Sequence, residues 1–407
     1  MPVPAAVRDR GQEPSQARAA LAGLTALLVG VGFGRFGYPA LIPALILAGW
    51  FDAAQAGYLG ATNLAGYLVG AALAPRLALR FSATGLIRTA LVAATTALLA
   101  CALPLGFAWY FVWRLISGIA GAVLMVLAGP KVVAFAPVGR RGRVGGILFV
   151  GVGFGIVLSG TLTPWLARYG VPHAWLAFGI ASAGLTAGVW TGWPSTGERA
   201  HTSAETRAPA PQRPRGAVSL PVLVLGVTYG CYGVGFVPHT VFWVDYIARR
   251  LELGLVVGGG YWVLFGVAAC CGPLLTGWCA DHVGFARSYR YSLLANAVFV
   301  GLPLLSASPW ALAVSSLGVG GLATAISSLA LGRISELAPP AQQRLIWGWI
   351  TIAFSVCYAG GGYLLSFLLA WSGSYALLFE LGAAALTAAF LLDWAAASIR
   401  RRVPPAQ

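Results

Sequence analysis

The sequence predicts an all-α membrane protein with twelve transmembrane helices, arranged as two parallel six-helix repeats. Three observations carry that prediction. Only 9% of the 407 residues are charged and 58% are hydrophobic, with mean hydropathy +0.80. Soluble domains carry roughly 25% charged residues, so a soluble enzyme of this length is excluded. Apolar runs near 20 residues recur along the chain, the length a helix needs to cross roughly 30 Å of hydrocarbon. Finally, motifs in the first half return in the second at a nearly constant offset.

The runs fall at residues 19–43, 57–79, 83–105, 109–134, 144–166 and 173–193. Residues 194–217 break the series. They are rich in Pro, Ser, Thr, Ala and Arg and almost free of large apolar side chains, which reads as a disordered linker. The runs resume at 219–246, 258–280, 291–306, 311–337, 346–371 and 375–396. The expected organisation is a tail (1–18), a first bundle (19–193), a linker (194–218), a second bundle (219–398) and a tail (399–407). Residues 1–17 lack the apolar core of a cleavable signal, so the first helix is expected to be retained.

Loop charge gives the orientation. Arg76, Arg80, Arg88, Lys131, Arg140, Arg141, Arg143, Arg287, Arg290, Arg333, Arg344 and Arg400 to Arg402 share one side with the linker arginines. The other side has Arg168, Arg249 and Arg250. The positive-inside rule then puts both termini in the cytoplasm. The net charge of +15 follows this topology rather than nucleic-acid binding, since no aromatic-basic repeat is present to stack bases.

The repeat shows in paired motifs. Lys131, Ala136-Pro137 and Gly118 return as Arg333, Ala338-Pro339 and Gly320 at an offset of 202. Gly57-Tyr58 returns as Gly260-Tyr261 at 203. Parallel repeats of this kind mark transporters, with the substrate near the bilayer midplane between the halves.

Residues 30–43, GVGFGRFGYPALIP, place Arg35 inside the first apolar run among glycines and prolines. A charge there costs several kcal/mol at least, so it needs a partner, a cavity or a substrate. Arg114 lies inside the fourth run, and no carboxylate of the first half is placed to neutralise either. Two unpaired guanidinium forks suit a carboxylate or other oxyanion. The alternative is that both cap backbone carbonyls freed by nearby glycines and prolines. Tyr38 and Tyr232 are the aromatic candidates for the same site. The seventh run, YGCYGVGFVPHTVFWVDY, mirrors the first in its glycines and Pro238, and a broken helix is expected in both. His239 could carry a proton or be a hydrogen-bonded interfacial histidine. Glu380 is the other proton candidate. The glycine runs 258–260 and 360–362 suit close helix packing. They lack the context of a phosphate loop, and no ATP signature, cofactor motif or metal-ligand spacing appears. The six cysteines read as buried free thiols.

Two patterns then resemble the major facilitator superfamily. Gly277, Asp281, Gly284 and Arg287 are similar to its cytoplasmic loop signature, and Arg114-x-x-x-Gly118 to its fourth-helix pattern. GFGRFGYPALIP with RLISGIAGA resembles the YbfB/YjiJ branch, a bacterial group. The resemblance implies that the first, fourth, seventh and tenth helices line a cavity, and that proton coupling is the default. It also implies an inner-membrane location and a gate built on Asp281, although an ordinary loop role for Asp281 stays open. The first half departs from the signature, with Ala78 where the second half has Asp281. The expected function is secondary transport of a small organic solute bearing an anionic group, by a monomer. Proton-driven efflux of amphipathic compounds is the alternative within transport, and a non-transporting receptor or scaffold the alternative outside it.

Overall fold

A computed structural model describes residues 14–137, 140–194 and 219–402. The expected linker, most of the N-terminal tail and the end of the C-terminal tail lie outside them. Among the described residues the chain is helical throughout, with no strand. The elements are α1 (Gln16–Leu47), α2 (Ala53–Ala78), α3 (Ala83–Ala100), α4 (Phe107–Phe135), α5 (Arg141–Leu166) and α6 (Val171–Gly188). After the linker come α7 (Leu220–Arg250), α8 (Gly254–Val283), α9 (Phe285–Leu305), α10 (Pro309–Leu337), α11 (Pro340–Ser372) and α12 (Tyr375–Arg402). Among the described residues, 9 helices are long and apolar enough to cross a membrane. The others, α2, α6 and α9, are diluted by polar groups such as Gln55 and Asn63, His173, and Arg287 and Arg290.

Local chemistry explains the boundaries. Asp52 caps α2: its Oδ1 accepts from the Gln55 N–H at 2.7 Å, and the Gln55 side chain accepts from the Asp52 N–H at 3.2 Å. This reciprocal box satisfies two of the donors a helix start leaves open. Ser82 and Ser308 cap α3 and α10 in the simpler way. The run at 291–306 is part of a longer helix, because α9 begins at Phe285 directly after Gly284.

The first and seventh helices are not broken, contrary to expectation. Each stays continuous and widens into π-helical turns, at Leu28–Phe36 in α1 and at Pro238–Phe242 and Tyr246–Arg250 in α7. Glycine and proline loosen the i→i+4 ladder, and the chain answers by adding a residue to the turn.

Packing follows the sequence repeat. Within α1–α6, α2 packs on α4, α3 on α4 and α6, and α1 on α5; within α7–α12 the matching pairs are α8 on α10, α9 on α10 and α12, and α7 on α11. Gly118 and Gly320, the repeated pair, both lie where a backbone crosses. A side chain at Gly118 would strike the Asn63 carbonyl of α2, and one at Gly320 the Phe265 carbonyl of α8.

The two groups of helices meet mainly through α5 against α8 and α2 against α11, which exchange under the repeat, with α1 touching α7 and α8. Close approaches include Gly160 to Gly259, Ala61 to Gly362 and Gly60 to Val241, and Gly153 to Gly266 near the middle of α5 and α8. Among the described residues two hydrogen bonds join them: Trp262 Nε1 donates to the Phe36 carbonyl at 3.1 Å, and Tyr363 OH meets Thr62 Oγ1 at 3.0 Å. Apart from the one at Gly153, these contacts lie toward the end that carries the α1–α2 and α7–α8 turns, called the sealed end below. The opposite, basic end carries Arg76, Arg80, Arg143 and Arg287.

Two arginines read as loop charges are instead buried. Asp393 of α12 accepts from Arg290 Nε at 2.8 Å and lies 2.7 Å from Arg333 Nη2. Arg333 also donates to the Ala286 carbonyl at 3.1 Å. Asp393 is fully buried, so the three groups tie α9, α10 and α12 together near the basic end.

Candidate functional site

The widened turn of α1 creates the site. In a π-helical pattern the Gly34 carbonyl looks five residues on, to Pro39, which has no N–H to give. Three side chains approach that oxygen instead: Arg114 Nη1 at 2.7 Å, Ser117 Oγ at 3.1 Å and Asn63 Nδ2 at 3.4 Å. Asn63 also donates to the Arg114 carbonyl at 3.2 Å, which ties α2 to α4. The Arg114 guanidinium lies 4.1 Å above the centre of the Tyr38 ring, and the Tyr38 hydroxyl donates to the Ala56 carbonyl at 2.9 Å. Arg114 and Tyr38 are both buried.

Arg35 is different. It is half-buried, and among the described residues no hydrogen bond or carboxylate engages it. Three aromatic faces surround its guanidinium: Tyr358 at 4.7 Å, and Phe36 and Tyr67 at 5.1 Å. Tyr67 belongs to α2 and Tyr358 to α11, so the cation sits between rings from the two helix groups. Arg35, Tyr38, Asn63, Arg114, Thr240 and Tyr358 line a cavity at this point. It is tight: space open to a water-sized sphere is about 10 Å³, room for roughly one water. Entry of any solute therefore requires the helix groups to part.

The structure thus brings Arg35, Arg114 and Tyr38 together. Tyr232 is not with them; its hydroxyl donates to the Ala323 carbonyl at 2.8 Å inside the second group. His239 also faces away from the cavity. It is fully buried, stacked on Trp243 at 4.3 Å, with Nε2 at 2.8 Å from Ser315 Oγ. Ser315 spends its hydrogen on the Phe299 carbonyl at 2.7 Å. The imidazole must therefore be the donor, with the proton on Nε2. Glu380 is exposed on α12, away from the cavity. Of the loop signature, Asp281 and Arg287 are exposed, and Asp281 forms no ion pair among the described residues. Gly284 has φ +87°, a conformation that needs glycine at the α8–α9 corner, while Gly277 faces open space.

Several residues escaped the sequence reading. Tyr67 and Tyr358 carry no signal beyond being aromatic. Asn63 had one, as one of two asparagines in the chain, inside an apolar helix. Asp393 was overlooked although it also interrupts an apolar run. Asp245 also interrupts an apolar run, in α7 four residues before Arg249. It is buried, accepting from Arg249 Nε at 2.5 Å and from the Tyr375 hydroxyl.

Comparison with known proteins fits this architecture. The family described as "Uncharacterised MFS-type transporter YbfB" matches residues 27–394. The chain belongs to this family. It is a multi-pass membrane transporter of the major facilitator type and not an enzyme. No curated protein matches. Solved structures with the same fold include a D-xylose-proton symporter, at 16% identity and TM-score 0.72, covering 92% of this chain and 96% of that one. The nucleoside transporter NupG (D323A mutant) aligns at 12% identity and TM-score 0.71, covering 93% and 99%. The xylose transporter XylE from E. coli, in a partially occluded inward open conformation, aligns at 15% identity and TM-score 0.69, covering 95% and 98%. At these identities the likeness is one of fold. In this YbfB-type transporter Arg35 and Arg114 both line the cavity where the two helix groups meet, and among the described residues Arg35 has no hydrogen-bond partner.

Proposed function

We propose that this YbfB-type transporter carries a small organic solute with an anionic group by alternating access, with Arg35 as the anion-binding residue. The observation that carries the reading is the state of that guanidinium: in the cavity, between both helix groups, with no hydrogen bond or carboxylate among the described residues. An ion held at membrane depth without a partner is costly, and an anionic solute would offset that cost. Arg114 serves as the support that fixes the widened turn presenting Arg35, which favours for that residue the carbonyl-capping alternative.

All twelve long helices are taken as membrane spans, in two six-helix halves (19–193 and 219–398) joined by the linker at 194–218. The matched packing pairs of the two groups support this. The basic end lies in the cytoplasm with both termini, in a bacterial inner membrane, by the loop-charge rule. The contacts at the sealed end then correspond to a state closed toward the outside. Proton coupling fits the neighbouring D-xylose-proton symporter, but neither His239 nor Glu380 reaches the cavity, so no carrier is assigned. Of the alternative, proton-driven efflux of amphipathic compounds, the part that concerns cationic compounds fits poorly with a cavity whose free charge is positive.

The test is flux in proteoliposomes loaded with candidate organic anions, comparing the native protein with Arg35→Gln. Flux of at least one anion that Arg35→Gln abolishes, with the variant folded and inserted normally, is expected. Full flux through Arg35→Gln would refute the assignment.

A further inference from the structure

We infer that the transported anion carries an aromatic ring, so that the ligand class is an aromatic carboxylate. This rests on the anion reading of Arg35 given above and adds the shape of the remainder of the molecule.

The first argument is what surrounds the free cation. Its neighbours are the faces of Tyr67, Tyr358 and Phe36, not hydroxyls or amides. The aromatic surface continues from the cavity along α11 and α7: Tyr358 meets Phe354 at 5.3 Å, and Phe354 stacks on Tyr229 at 4.7 Å with the rings 24° apart. The guanidinium now occupies a slot between a ring of α2 and a ring of α11. A flat aromatic group fits the same slot once the helix groups part, while its carboxylate draws the guanidinium aside. Stacked rings contribute about 0.5–1.5 kcal/mol each beyond the area they bury.

The second argument is what the cavity lacks. A sugar or other polyol needs several free hydrogen-bonding groups, because each of its hydroxyls must be matched when it leaves water. Here the hydroxyls and the Asn63 N–H groups are spent on other protein groups. Tyr358 donates to Thr240 at 2.7 Å, and Thr240 donates to the Phe236 carbonyl at 2.9 Å. Tyr38 donates to Ala56, and the Asn63 amide N–H groups go to Gly34 and Arg114. Asn63 Oδ1 remains as the one unengaged amide oxygen of the lining. Arg114 Nε is also without a partner among the described residues, so the lining offers two guanidinium groups, several ring faces and one spare acceptor, a set that suits an aromatic acid.

The experiment is ligand-induced thermal stabilisation of the full-length protein in detergent. The probes are benzoate, acetate, benzamide and xylose, tested on native protein, Arg35→Gln and Tyr67→Leu. Benzoate is expected to bind at least roughly tenfold more tightly than acetate, with benzamide and xylose weaker still. Tyr67→Leu should shrink the benzoate-to-acetate ratio several-fold, and Arg35→Gln should remove both acids. Equal affinity for acetate and benzoate overturns the aromatic inference and leaves the anion reading standing. Benzamide binding as tightly as benzoate, or benzoate binding retained by Arg35→Gln, overturns the anion reading and this inference with it. Stabilisation by xylose above benzoate, or by none of the probes, also overturns the aromatic assignment.

Discussion

The contact between Gly160 of α5 and Gly259 of α8 should control how far the sealed end stays closed. A methyl group built on Gly259 would lie 2.4 Å from the Gly160 carbonyl oxygen and 2.8 Å from the Pro164 ring, inside the 3.0 Å below which such carbons do not sit. The obstacle is backbone, so no side chain can swing away. Gly259→Ala must push the two helices apart. Overpacking of this sort costs about 1–3 kcal/mol, and the cost falls only on the state in which the helix groups touch. The equilibrium between sealed and open states should therefore move by about 5- to 150-fold toward opening. Gly260→Ala is the control, because a methyl there meets nothing within 4 Å. Spin labels at Leu47 and Leu253, which are 67% and 44% exposed and belong to different helix groups, report the change by double electron–electron resonance, in protein whose six native cysteines are replaced by alanine. Gly259→Ala should add a longer distance that Gly260→Ala lacks. Identical distance distributions for the two variants would refute the idea that this backbone contact sets the seal.

Other expectations follow from the same geometry. Asp393→Asn removes the carboxylate that pairs with both Arg290 and Arg333, and should destabilise the fold by about 3–5 kcal/mol, read as a lower melting temperature in detergent. Gly284→Ala forces a side chain into positive φ and should cost about 1–2 kcal/mol, whereas Gly277→Ala should melt like the native protein. Tyr375→Phe takes one donor from buried Asp245 and leaves Arg249 in place, so a loss of about 1 kcal/mol is expected from the same melting assay.

What the sequence made legible was set by how local the signal is. Span lengths and the repeat are written in apolar runs and paired motifs, so the helix ends fall within about six residues of where they were expected. Charge inside an apolar run drew attention to Arg35 and Arg114, which the fold brings to one cavity. Telling the two apart was out of reach, because the difference lies in Gly34, whose carbonyl is freed by Pro39 and claimed by α2 and α4. His239 and Glu380 were chosen for their chemistry, but where a helical side chain points depends on tertiary rotation, and both point away from the cavity. Arg290 and Arg333 looked like loop charges because Asp393, their partner, is 60 or more residues away along the chain. The wide turns of α1 and α7 were anticipated as breaks, since glycine and proline content shows a weakened ladder but not how the backbone repairs it.

The central claim is that Arg35 receives the anion while Arg114 supports the turn that presents it. Isothermal titration of a bound carboxylate to native protein and Arg35→Gln, alongside the melting temperature of each ligand-free protein, tests this most directly. The account predicts that Arg35→Gln melts close to the native protein, since no hydrogen bond is lost, yet binds the carboxylate at least about tenfold more weakly, a difference of about 1.4 kcal/mol. Unchanged affinity in a well-folded Arg35→Gln protein would contradict it.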